Sequence, residues 1–446
     1  MTTLRTLADD ALADLARRTR DEHAALRARG LRLDMTRGKP SPEQLDLAAA
    51  MLSPADGEDW RTASGEDARN YGGGVQGLPE LRALFAPILG TTPDRVVVGD
   101  NSSLALMHDA IAWAMLHGVP GSPRPWAREA EPPAFLCPVP GYDRHFALCE
   151  AHGIRMVPVP LTGEGPDLDA TEALARDPAV RGMWCVPRYS NPTGETYSDE
   201  AVRRLAAMPT GAPDFRLFWD DAYAVHHLTD APRPLANVLA ACEAAGHPDR
   251  AFVFASTSKV TLAGAGVAFF ASSPANVAWF LARAGVRTIG PDKPNALRHV
   301  RFLRDAGGIA RHMAAHRAIV APKFAALDEA LTARLGNLGV ATWTRPEGGY
   351  FVSLDVEDGN ARRVVALAKE AGVALTPAGS TWPHGRDPRD RNLRLAPTFP
   401  SLDAVRAAGE VVALCVLLAA VEREEAARRG TEGDHAPPPV AEAVAG

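Results

Sequence analysis

The stretch Phe252-Val-Phe-Ala-Ser-Thr-Ser-Lys259 decides the reading of this chain. Four apolar residues make a short strand of the kind buried on both faces. Small hydroxyl residues follow, and then a single lysine at the strand's C-terminal edge. In open α/β sheets, ligands bind in the crevice at that edge. A lysine held there and partly desolvated has its pKa lowered, and can act as an amine nucleophile and form a Schiff base. Read alone, Lys259 is more simply a surface lysine at a strand end. The nearby Ala263-Gly-Ala-Gly266 adds a tight backbone passage beside it.

Three other strand ends carry similar chemistry. In Phe218-Trp-Asp220-Asp221-Ala222-Tyr223 an apolar run ends in a carboxylate, with a phenol three residues on. A carboxylate there can hold a protonated ring nitrogen, as a pyridine cofactor needs; capping of a following helix is the plainer reading. Asn191-Pro192-Thr193-Gly194 follows the run Met183–Val186 and fixes an amide in a rigid turn. Gly99-Asp-Asn101-Ser102-Ser103-Leu104 follows the run Val96–Val98 and opens a helix with Leu104, Met107, Ile111 and Met115 on one face and Gly118 as its stop. Hydroxyls and free N–H groups at a helix N-terminus make a phosphate cradle, although either serine could be a plain N-cap. No Walker-type lysine motif occurs there.

Apolar runs at Val96–Val98, Ala134–Cys137, Met156–Val159, Met183–Val186, Leu217–Trp219, Ala251–Phe254 and Val267–Phe270 predict an α/β fold with a mainly parallel seven-stranded sheet covered on both faces. The last two runs are close enough for an antiparallel pair. A helix is predicted over residues 6–30 with Gly30 as its stop, and a long helical stretch from Val300 to Leu335. Short strands at Tyr350–Leu354 and Leu393–Leu395 and a helix near 402–422 complete a smaller α/β domain. The expected division is 1–64 (N-terminal part of the small domain), 65–300 (large domain), 301–423 (C-terminal part of the small domain) and a disordered tail, 424–446. With 446 residues, 46% of them hydrophobic, the chain can bury such a core. A net charge of −6 argues against nucleic acid as partner. Five scattered cysteines without a CxxC pair read as reduced, core-packed thiols of a cytoplasmic protein, and no metal is expected. The first twenty residues lack the apolar core of a signal peptide, and no run approaches the roughly 18 uncharged apolar residues of a membrane span.

Taken in order, Arg37-Gly-Lys-Pro40, Asn70-Tyr-Gly-Gly-Gly-Val-Gln-Gly77, Pro140-Gly-Tyr142, Asn191-Pro-Thr-Gly194, Asp220-Asp-Ala-Tyr223, Ser256-Thr-Ser-Lys259 and Arg394-Leu-Ala-Pro397 resemble the fold-type I, class I/II aminotransferases. The likeness is nearest to the bacterial aspartate aminotransferase subgroup with a MocR-like catalytic domain. It runs from about Leu33 to about Val421. It implies the pyridoxal-phosphate (PLP) transferase fold and PLP as cofactor. Lys259 then corresponds to the Schiff-base lysine and proton shuttle, Asp220 to the pyridinium partner, and Asn191 and Tyr223 to the contacts of the phenolate oxygen. Tyr142 corresponds to the ring-stacking aromatic, and Ser102, Ser103 and Ser256 to phosphate contacts. Tyr71 matches the tyrosine that reaches the phosphate of a neighbouring subunit, so a homodimer is implied. Arg394 matches the guanidinium on the substrate α-carboxylate, with Gly38 beside it. One departure stands out: such enzymes carry an arginine on the phosphate shortly after the lysine, and Val260–Val267 has no basic residue.

The resemblance implies ping-pong transfer of an amino group from an L-amino acid, aspartate foremost, to 2-oxoglutarate. A distal carboxylate needs a second cation, for which Arg37, Arg188, Arg287 and Lys293 are candidates. Transfer from another amino acid, or a PLP lyase or decarboxylase, would share most cofactor residues; Arg394 favours keeping the α-carboxylate. A PLP-sensing regulator would need a DNA-binding module, and about 35 residues before the resemblance are too few for a winged helix.

Overall fold

The structure, a computed structural model, describes residues 4–52 and 59–430. Among the described residues twelve strands occur in chain order: β1 (Leu33–Asp34), β2 (Val96–Gly99), β3 (Ala134–Val139), β4 (Arg155–Pro160), β5 (Val180–Cys185), β6 (Arg216–Asp220), β7 (Ala251–Ser256), β8 (Ala268–Ala271), β9 (Ala341–Trp343), β10 (Val352–Val356), β11 (Val373–Ala374) and β12 (Asn392–Leu395). All seven predicted runs fall in one sheet, ordered β2-β8-β7-β6-β5-β3-β4. Pairing is parallel except at β8, which runs antiparallel to both β2 and β7. Side chains alternate across the sheet, apart from a register shift where β5 pairs with β3. Val96, Val98, Leu217, Trp219 and Val253 join one apolar cluster. Val97, Phe218, Phe252, Phe254 and Phe270 join another on the opposite face. Burial on both faces is why these strands read as unbroken apolar runs.

A third core gathers Leu4, Leu12, Ala16 and Met35 with residues from Val320 to Val421. The N-terminal helix, Asp9–Ala28, buries Leu12, Ala16, Thr19 and His23 at three- and four-residue spacing, and Gly30 ends it at φ 63. β1 pairs with β11, so the N-terminal segment enters the fold beside residues more than 300 positions away.

Three expectations change. The stretch Val300–Leu335 is two helices, Lys293–Leu303 and Ala306–Leu335. Arg304 takes φ 65, and Asp305 caps the second helix by accepting the Gly308 N–H at 2.7 Å. The strand expected at Tyr350–Leu354 starts two residues later, because Tyr350 turns toward Lys259 and donates its hydroxyl to that residue's carbonyl at 3.3 Å. The last helix, Leu402–Arg428, runs past Glu424, where a disordered tail was expected. Its charges are paired rather than solvated: Arg428 donates to the Leu7 carbonyl at 2.9 Å and to Asp9 at 2.8 Å. The rest of the expected tail, 431–446, lies outside the described residues. By length and hydropathy this helix could cross a membrane, but 78% of its apolar window is buried in the third core. All five cysteines are free and buried, as expected.

Candidate active site

The C-terminal ends of β6 and β7 meet the N-terminus of the helix Ser103–His117 and the end of β12 around a cavity of about 650 Å³. Ten of the eleven residues proposed from sequence line it: Gly38, Ser102, Ser103, Tyr142, Asn191, Asp220, Tyr223, Ser256, Lys259 and Arg394. Tyr71 does not. It is 79% exposed on a separate surface cleft shared with Lys293.

Lys259 follows β7, with its amine 5.2 Å from the Tyr223 ring centre and 6.0 Å from that of Tyr350. Burial depresses its pKa, while the Asp220 carboxylate pulls the other way. Asp220 ends β6 and is buried. One carboxylate oxygen sits 3.2 Å from His145 Nε2; the other, Oδ1, is buried and has no hydrogen-bond partner among the described residues. His145 is itself clamped, stacked on Trp184 at 4.2 Å and met edge-on by Tyr142. The residue after Asp220 is no helix cap: Asp221 lies 3.6 Å from Arg188, and burial pushes its pKa up to about 6.

At the other end of the cavity, Ser102 occupies the N-cap position of its helix but its side chain makes no capping bond. The Ser256 hydroxyl donates to Ser258, which donates to the Asn101 carbonyl at 2.8 Å. A Cβ on Gly266 would lie 2.7 Å from that carbonyl, so only glycine lets the 263–266 passage close on the serines. Gly38 packs its Cα against Phe351, whose ring a Cβ would meet at 2.3 Å. Phe351 in turn covers the Arg394 guanidinium at 5.0 Å.

Of the four candidate cations, only Arg37 faces the cavity. Arg188 is drawn to Asp221. Arg287 is paired with Asp100 and Asp109, and Lys293 donates to the Gly72 carbonyl at 2.8 Å. Lys39 and Arg144, not singled out from sequence, also line the cavity. His145, Asp143 and Ser258 were missed as well. The only signal for the first two was their place directly after Tyr142, since a lone histidine or aspartate in a helix carries no pattern of its own.

An orphaned acid oxygen, a desolvated amine, a stacking tyrosine and a hydroxyl-lined helix N-terminus together fit a flat, phosphorylated pyridine aldehyde. A family model described as aspartate amino-transferase matches residues 7–428. An aspartate aminotransferase of Corynebacterium glutamicum is 50% identical over 397 residues, 89% of this chain and 91% of that one. The crystal structure of an aspartate transaminase from the same species superposes with a TM-score of 0.92 at 47% identity, covering 95% of this chain and 99% of that one. The fold extends to an α-aminoadipate aminotransferase of Thermus thermophilus, solved with N-(5'-phosphopyridoxyl)-L-leucine, at a TM-score of 0.70 and 24% identity over 90% of this chain and 95% of that one.

Proposed function

The chain belongs to the aspartate aminotransferase family, and from that premise we propose that it moves the amino group of L-aspartate to 2-oxoglutarate with PLP carried on Lys259. The observation that carries the cofactor assignment is the partnerless Oδ1 of Asp220, buried on the same cavity as the Lys259 amine. A buried charge without a partner is costly unless something bound there supplies a donor.

PLP, when bound, supplies an electron sink through its protonated ring. The rest falls to this chain's residues. Asp220 keeps that proton in place, and His145 holds the carboxylate's other oxygen so that Oδ1 is the one presented. Ser102, Ser103 and Ser256 with the helix N-terminus would hold the phosphate, and Tyr142 would lie against the ring. Lys259, as a free amine, would take the proton from the substrate Cα. Its burial favours the neutral form that this step needs. Arg394, with Asn191 beside it, grips the α-carboxylate, and the distal carboxylate of a dicarboxylic substrate meets Arg37, Lys39 or Arg144. Tyr71, exposed and not part of the lining of this cavity, would complete the phosphate site of a second copy in a homodimer.

The test is the absorption spectrum of the purified protein with PLP. A visible band that L-aspartate bleaches and 2-oxoglutarate restores, and that Lys259→Ala lacks, is the expected result. A band indifferent to aspartate overturns the substrate; absence of any band after reconstitution overturns the cofactor.

A further inference from the structure

Arg394 is already held by a carboxylate of this chain. Its Nη1 donates to Asp143 Oδ1 at 2.9 Å and lies 3.4 Å from Asn191 Oδ1, while its Nε is buried without a partner. The two partners differ in access: the Arg394 side chain is 7% exposed, that of Asp143 37%. Asp143 is the first residue of the helix Asp143–Ala151, directly after Tyr142, and lines the same cavity. The carboxylate is therefore anchored by one turn of helix yet free enough to leave. The next residue, Arg144, is exposed on the cavity with no hydrogen bond or ion pair among the described residues, and offers the displaced carboxylate a cation to lean toward.

We propose that Asp143 is a built-in counter-carboxylate: it neutralises and aims Arg394, and competes with the α-carboxylate of every amino and oxo acid that enters. The inference rests on the reading of this cavity as an amino- and oxo-acid site. Its physical basis is that a desolvated guanidinium is costly without an anion, and that two carboxylates on one guanidinium repel each other. Substrate binding thus exchanges one ion pair for another, and the α-carboxylate, common to all substrates, contributes little net affinity. Discrimination is left, as before, to whatever the side chain meets. A second carboxylate gains from Arg37 and Lys39, whereas an apolar side chain has no such compensation. Asp143 in this way keeps the KM for all substrates high by a common factor, without touching their distal carboxylate and without changing the ratio between dicarboxylic and monocarboxylic acids.

The experiment is Asp143→Asn, which keeps the shape and a hydrogen-bond acceptor but removes the charge, with Asp143→Ser as a second variant. Dissociation constants of two unreactive acids, propionate and succinate, are measured by calorimetry on the PLP-loaded protein. Both are expected to tighten by the same factor, about three- to tenfold, and KM for aspartate and for alanine is expected to fall in parallel. Weaker binding in both variants would mean that Asp143 only orients Arg394, and unchanged binding would mean that it does not compete; either overturns the proposal. Failure of the underlying function looks different: no amino acid bleaches the visible band of the parent protein, whatever the variants do to propionate.

Discussion

Lys259 and Asp220 were legible from sequence because each stands at or just beyond the end of an apolar run, where a polar side chain emerges at a sheet edge, whereas Arg394 was found only through the resemblance carried by Arg394-Leu-Ala-Pro397. What they touch was not. The partner of Asp220 is His145, 75 positions away, and no spacing rule links a strand end to the first turn of a distant helix. His145→Ala leaves the inner oxygen of Asp220 unpaired and frees the carboxylate to rotate. The loss of one buried hydrogen bond to a charged group predicts about 10- to 100-fold weaker PLP binding, measured by fluorescence titration. Equal affinity in parent and variant would show that Asp220 is held by its backbone alone. Gly38 was chosen for close backbone approach; the structure shows that what approaches is the Phe351 ring, with Arg394 on its other side.

Among the elements, the strands were read well and the helix ends poorly. A strand buried on both faces is a run that nothing else explains, whereas a helix boundary depends on one cap or one glycine. The break at Arg304–Asp305 shows this. Gly308 sits in the first turn after the break, and a Cβ there would lie 1.8 Å from the Leu303 carbonyl oxygen. Gly308→Ala therefore requires the two helices to move apart, and is expected to cost about 1–3 kcal/mol in urea unfolding. Alanine at Gly307, whose Cβ would meet nothing closer than 3.1 Å, should cost less. Equal costs would mean that the close contact at Gly308 relaxes freely. The C-terminal helix taught the same lesson in charge. Its acidic and basic end reads as solvated, yet Arg428 and Glu425 bind the N-terminal helix, a contact made only once both have folded.

For the whole molecule, the buried histidines behind Lys259 set a pH dependence. Burial, with Lys259 adding to it, pulls His226 down to about 3; burial and the neighbouring His312 pull His316 down to about 4. The unfolded chain takes up these protons near the ordinary value of 6.5, so the stability these neutral rings confer is complete above that pH and is lost progressively as pH falls toward 4 and then 3. Glu195, pushed up to about 7, and Asp221, to about 6, act in the opposite sense, favouring the folded state as pH falls. The histidine contribution is therefore read as a difference: between pH 7 and pH 4 the urea midpoint of His316→Gln, and separately of His226→Asn, should drop less than the parent's. Parallel curves would count against the assignment. The sequence by itself determined the sheet, its covered faces and the residues at its active edge, because burial writes itself into local apolar patterning. Only the tertiary structure decided which cations face the cavity, that His145 orders Asp220, and that Asp143 lies on Arg394 across 251 positions of chain. Those are pairings of charged and polar groups, and a charge carries no local pattern that names its partner before the chain has closed around it.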